Sequence, residues 1–307
     1  MDNKRYYSLN NFYRNKFNSK VFKVSLDANF SCPNKDGTKG YGGCIFCTRT
    51  PYIGKKEDDL LTQFEKIKSM LHKKWKDAKY IVYFEAGSNT YADVETLKKT
   101  FEPFLIMDNV VGINIGTRCD CLSKDVLDYL KLLNKKTFLT VELGLQSMHD
   151  KTLKLINRGH NLKDFDNAVK NLKELNINVV AHIINGLPFE TKEMMIETAK
   201  HLNSIGIDGI KFHMLYLEKD SQITREYKKN PFRILSKDMY IDIVCTQLRY
   251  LSKNVVIHRI SSDPLKEKLV KPDWLLKKFV VLNDIDKYMK NHDIYQGDLC
   301  TNDIGTR

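Results

Sequence analysis

Nowhere in its 307 residues does the chain run to eighteen apolar residues in succession, which excludes a hydropathic transmembrane helix. The opening "MDNKRYYSLNNFYRNKF" is polar and aromatic and has no apolar core, so it does not read as a signal peptide. Proline is scarce, at seven, and there is no low-complexity tract and no internal repeat beyond the strand–helix unit described below. With 42% hydrophobic and 29% charged residues, the composition is that of a globular chain long enough for one large domain or two ordinary ones. These absences predict a cytoplasmic protein with no membrane partner. In a reducing compartment its seven cysteines read as ligands, redox groups or small buried hydrophobes rather than as disulfide staples.

Charge is present in excess of one sign. The formal balance of +12 and pI near 9.2 invite a polyanionic partner, although lysine far outnumbers arginine and a general Lys/Asn bias would give the same balance.

Apolar, β-branched runs alternate with amphipathic stretches along the chain. Strands are predicted at 21–26, 80–86, 110–117, 138–145, 178–186 and 210–217. Helices are predicted at 58–77, 123–136, 161–176 and 190–206, with Ser123, Asn161 and Thr191 as N-caps and Gly206 as the last stop. Short connections imply right-handed βαβ units and a parallel sheet. Six units fall short of the eight of a closed barrel, so the expected fold is α/β, a partial, TIM-like (β/α)6 barrel. It spans residues 21–220, behind a segment 1–20 covering the barrel. Beyond residue 220 a helix (236–253), a strand (254–263) and a helix (272–295) predict a C-terminal α/β extension over 221–300, and 301–307 reads as a mobile tail.

The densest chemistry lies in "FSCPNKDGTKGYGGCIFC", residues 30–47. Cys32, Cys44 and Cys47 form a Cys-x11-Cys-x2-Cys loop directly after the first strand. That pattern suits a cubane iron–sulfur cluster held by three thiolates, with the fourth iron left for an external ligand. Gly37, Gly40, Gly42 and Gly43 allow a tight fold around a metal. Phe46 would stand beside the open iron, where its ring can pack on an adenine. A zinc site needs a fourth ligand; the loop has no His, the next is His72, and Cys119 and Cys121 would have to supply it. Otherwise those two cysteines read as ordinary residues of the barrel mouth.

Cys32, Cys44 and Cys47 with Phe46 resemble, in widened form, the cluster motif of radical S-adenosylmethionine (SAM) enzymes. The spacing of "CPNKDGTKGYGGCIFC" is similar to that of the YhcC/YtqA (MnmL) family, relatives of the Elongator catalytic subunit. Further blocks match in order: "YFEAGSNTYA" (83–92), "IGTRCDCL" (115–122), "VELGLQS" (141–147), "NRGH" (157–160), "HIINGLPFET" (182–191), "VIHRISSD" (256–263), "PDWLLKK" and "YQGD". Gly87 is the one departure, where the family pattern suggests a larger aromatic or polar residue.

The resemblance implies one [4Fe-4S] cluster and SAM, whose reductive cleavage yields methionine and a 5′-deoxyadenosyl radical that removes a substrate hydrogen. It further implies tRNA as substrate, with carboxymethylaminomethyl-uridine at the wobble position converted to aminomethyl-uridine. A downstream tRNA methyltransferase would act on the product, and flavodoxin or ferredoxin would serve as electron donor. A radical SAM enzyme acting on a small molecule or peptide is the alternative, and a non-catalytic metal-bearing RNA-binding protein a third.

Functional residues of such barrels sit at the C-terminal strand ends. Gly87 and Ser88 are expected beside the SAM methionine. By resemblance Glu142 and Gln146 reach its amino group or ribose, and Arg158 its carboxylate. His182 is expected to point to the mouth. Arg118, Asp120, His213, Tyr216, His258 and Arg259 are substrate-side candidates, and the N-terminal rings Tyr6, Tyr7, Phe12, Tyr13 and Phe17 either stack on bases or cover the barrel's open edge.

Overall fold

Strand β1 (Val21–Leu26) begins a seven-stranded sheet whose every pairing is parallel, in the order β1-β2-β3-β4-β5-β6-β8. The computed structural model describes residues 4–48 and 58–300; the expected tail at 301–307 lies outside the described residues. β2 (Lys79–Phe84), β3 (Val110–Thr117), β4 (Phe138–Gln146), β5 (Asn178–Asn185) and β6 (Gly209–Met214) follow in chain order. The seventh strand, β8 (Val256–Arg259), comes from the segment read as an extension. Each crossover carries helix: α2 (Leu60–His72), α3 (Val94–Phe101), α4 (Lys124–Asn134), α5 (Asp150–Leu155), α6 (Leu162–Glu174) and α7 (Lys192–Ser204). The three caps foreseen at Ser123, Asn161 and Thr191 each accept a backbone N–H, and Asn161 forms a full capping box with Asp164. Such caps are worth about 1 kcal/mol each.

Strand parity divides the molecule. Val24, Val82, Phe84, Ile113, Ile115, Val141, Leu143, Val179, Ala181, Ile210 and Phe212 face the helices in one continuous apolar core. The alternate residues face the inside of the curled sheet, where the next section places the polar groups. α1 (Leu9–Phe17), α8 (Gln222–Lys229), α9 (Lys237–Arg249), α10 (Lys278–Asn291) and the short pair β7 (Leu217–Glu218) and β9 (Leu269–Lys271) complete the chain.

α1 corrects the base-stacking expectation. Tyr13 is buried, Phe12 and Phe17 lie 6.0 and 5.5 Å from the Phe138 ring, and the group packs on Val21 and Ile81 at the N-terminal end of the strands. Ser8 bridges to Ile257, whose N–H donates to the Tyr7 carbonyl, while Tyr6 packs on the main core. These rings plug the barrel floor, far more favourable for apolar surface than exposure to solvent.

No described helix is long and apolar enough to cross a membrane.

Candidate functional site

The cysteine loop leaves the C-terminal end of β1 and is tied down by polar side chains from the turn after α5. Asn34 donates to the Asn157 carbonyl at 2.6 Å, and Asn157 donates in return to the Gly43 carbonyl at 2.8 Å. Asn157 and Gly159 both take the left-handed conformation, and a Cβ on Gly159 would sit 2.6 Å from Asn34 Oδ1. On the other flank Ser88 N–H donates to the Ser31 carbonyl at 3.1 Å. Gly87 has φ +83°, and a Cβ there would meet the Phe30 carbonyl oxygen at 2.3 Å. The chain needs glycine at this position because the cysteine loop crosses it, which accounts for the departure noted in the sequence.

Within the loop, Cys44 is buried, Cys32 partly so and Cys47 exposed at the lip. The Cys44 sulfur accepts from Arg158 Nη1 at 3.4 Å and lies 3.7 Å from Asn34 Nδ2. These donors orient the Cys44 sulfur within the loop. Two buried polar atoms here, Asn34 Oδ1 and Arg158 Nε, have no partner among the described residues. Among those residues no three His, Cys, Asp or Glu side chains converge on one point. Three thiols in one loop, one of them met by the Arg158 guanidinium, are the donor chemistry that suits an iron–sulfur cluster. Cys119 and Cys121 are buried, and burial pushes both thiols up to about 12.

Several expected ligand contacts are already spent inside the protein. Arg118 grips Asp120 with two parallel bonds of 2.8 Å and donates a third to the Arg158 carbonyl, also at 2.8 Å. Lys39 approaches Asp120 at 3.0 Å. Burial alone would raise the Asp120 carboxyl, yet Arg118 and Lys39 hold it well below its ordinary range. Arg118 and Asp120 thus brace the loop. Arg158 commits Nη2 to the Gly144 carbonyl at 2.6 Å, while its Nε has no partner among the described residues. His160, which the sequence reading passed over, fills the same joint, its Nε2 3.2 Å from the Gly144 carbonyl. Gln146 ends β4 with φ +78°, and its amide folds back over Gly144. A non-glycine residue held there stores backbone strain of the kind found near functional sites.

The inside of the half-barrel holds a buried ionic hub. Glu142, in the middle of β4, accepts from Lys23 Nζ at 2.5 Å, Asn114 Nδ2 at 2.8 Å and His182 Nε2 at 2.9 Å, and pairs with Lys211 Nζ at 2.5 Å. Lys211 also donates to the Tyr83 hydroxyl at 2.9 Å. Five strands are thereby tied through one carboxylate. Burial would raise Glu142, but Lys211, Lys23 and His182 hold it well below the carboxylate range. Its side chain is fully covered and held within this hub. His182, pushed down to about 4 by burial and by Lys211, is neutral and stacks at 5.3 Å on His213. His258 is a structural residue: its Nδ1 is 3.2 Å from Lys23 Nζ, and its ring occupies the place a side chain on Gly209 would take. Tyr216, His213 and Arg259 remain partly accessible at the mouth.

Lys23, Tyr83, Asn114 and Lys211 were missed in the sequence. The signal was present, since each is the polar residue at the centre of an otherwise apolar strand, on the inward parity shared by Glu142 and His182.

Comparison with known proteins agrees with this geometry. The Radical SAM superfamily model matches residues 38–202 and the Radical_SAM C-terminal domain model residues 207–291. The chain is 47% identical to YtqA of Bacillus subtilis over 297 residues, covering 96% of this chain and 92% of that one. It is 30% identical to YhcC of Escherichia coli K12, covering 91% and 90%. A tRNA uridine(34) acetyltransferase of Methanocaldococcus infernus is 27% identical over 50% of this chain and 29% of that protein. Among solved structures, the Elp3 of Methanocaldococcus infernus, truncated at its N-terminus, superimposes with TM-score 0.67 at 19% identity, over 91% of this chain and 64% of that one.

Proposed function

Because the chain belongs to the radical SAM superfamily and is an enzyme of that class, we propose that it acts on tRNA, converting carboxymethylaminomethyl-uridine at the wobble position to aminomethyl-uridine. The observation that carries the reading is the placement of the cysteine loop over the mouth of a half-barrel whose interior is polar and cationic. The tRNA uridine(34) relative supports the substrate class, and the +12 charge suits an RNA.

Cys32, Cys44 and Cys47 would hold a [4Fe-4S] cluster. Bound there with SAM, it supplies a 5′-deoxyadenosyl radical able to take hydrogen from an unactivated carbon. The protein's part is containment and placement. Arg158 and Asn34 hold the Cys44 sulfur in place, while Arg118, Asp120 and Asn157 fix the loop relative to the strand ends. Phe46, partly buried beside Cys47, offers a face for adenine, and Gly87 and Ser88 bring the end of β2 against the loop. Gln146 closes the same rim. The hub around Glu142 keeps the floor rigid and dry. Hydrogen removal from the methylene between the nitrogen and the carboxylate would leave a carbon radical. One further electron, passed to a one-electron acceptor such as the oxidised redox partner, would give an imine that water hydrolyses to aminomethyl-uridine and glyoxylate. An unpaired, flipped base of the anticodon loop would reach this depth. An electron donor such as flavodoxin or ferredoxin, and a methyltransferase that consumes the product, complete the proposal.

The test is anaerobic incubation of the reconstituted protein with SAM, reductant and tRNA carrying the carboxymethylaminomethyl group. Nucleoside digestion should then reveal aminomethyl-uridine. Persistence of the starting nucleoside while SAM is consumed would rule out this substrate.

A further inference from the structure

The barrel interior contains more positive than negative groups. Lys23, Lys211 and Arg259 come from β1, β6 and β8, and Glu142 is the one carboxylate buried with them; Glu85, just past the end of β2, is exposed. Lys23 and Lys211 are both spent on Glu142. Arg259 is different. It is partly buried, and among the described residues its guanidinium has neither an ion pair nor a hydrogen-bond acceptor. A register shift between β6 and β8 places it opposite Lys211. Bulges of this kind turn a side chain out of the regular alternation. It is the last residue of β8, beside Lys211 at the mouth end of the sheet. The imidazole of His213, kept neutral by burial and by its cationic neighbours, does not compete with it for an anion.

A half-buried guanidinium with no acid partner is free to take an incoming anion. We propose that Arg259, flanked by His213 and Tyr216, receives the carboxylate of the substrate's own side chain and so selects the carboxymethylated nucleotide over its decarboxymethylated product. This rests on the tRNA reading above and adds a specificity-determining residue to it. The pairing matches chemistry to shape: a planar fork binds a carboxylate through two parallel bonds and releases a product that lacks one.

Two RNA stem-loops, identical except for carboxymethylaminomethyl- or aminomethyl-uridine at the wobble position, test this by anaerobic equilibrium binding to the cluster-loaded protein with SAM present. Wild type should prefer the first by about tenfold or more, the worth of one charge-assisted fork. Arg259→Met should reduce the preference to near unity by weakening the first RNA alone, and Arg259→Lys should restore part of it. Equal binding of the two RNAs by wild type overturns the proposal and leaves the tRNA reading standing. Equal weakening of both by Arg259→Met overturns it in favour of a phosphate contact. A parallel loss of SAM affinity in that variant overturns it in favour of SAM's own carboxylate. If wild type binds neither RNA, the tRNA reading itself fails, and this assignment falls with it.

Discussion

Glu142 and Lys211 meet at 2.5 Å in the middle of a half-barrel, one fully covered and the other nearly so. A charge in that place is tolerable only while its partner holds it. Lys211 reaches Glu142 from β6 and Tyr83 on β2, so the pair spans the curled sheet and ties strands that no hydrogen-bond ladder joins directly.

Among the described residues Glu142 is the buried carboxylate paired with two lysines, and Glu142→Gln removes it. Stability should fall by about 3–5 kcal/mol, the cost of leaving buried charge uncompensated. Urea unfolding of the variant checks this. The double change Glu142→Gln with Lys211→Met should recover part of the loss, because the orphaned cation goes with the carboxylate. Additive losses would show that the two residues act independently.

Lys23 gives a pH signature. Burial pushes its ammonium down to about 8, with Lys211 adding to the effect and Glu142 opposing it. Between about pH 8 and the ordinary lysine range, the unfolded chain therefore binds a proton that the folded chain has released. Stability attributable to this residue should rise across that window, by at most about 1.4 kcal/mol per pH unit. Lys23→Met should lack the rise. Parallel stability–pH curves for the two proteins would contradict the assignment.

Gly87→Ala places a methyl group 2.3 Å from the Phe30 carbonyl and forces a left-handed φ on alanine. The barrel should still fold, since the strand cores are untouched, but the cysteine loop must shift. We expect an unchanged far-ultraviolet circular dichroism spectrum with a severalfold lower iron content after anaerobic reconstitution. Full iron loading would show that the crossing does not set the loop's position.

Much of the fold was legible because it rests on local signals. Strand parity and the caps at Ser123, Asn161 and Thr191 each fix their element within a few residues. α1 was not legible: "LNNFYRNKF" is polar by composition, and its burial depends on a barrel floor made by distant strands. The site divides in the same way. Three cysteines in one loop announce themselves by spacing. The roles of Glu142, Arg118 and Asp120 do not, because a charged residue within or just after a strand looks the same whether it waits for a ligand or is already paired. Only the approach of Lys23, Lys211 and Lys39 in space decides that.

The central claim is that a radical generated at the cysteine loop takes hydrogen from the uridine side chain inside the barrel. Its most direct test uses tRNA deuterated on both methylenes of the carboxymethylaminomethyl group, with mass spectrometry of the 5′-deoxyadenosine formed under anaerobic turnover. One deuterium should appear in that product, together with aminomethyl-uridine in the RNA, and both should vanish in Cys47→Ala. Unlabelled 5′-deoxyadenosine with the RNA unchanged would contradict the account.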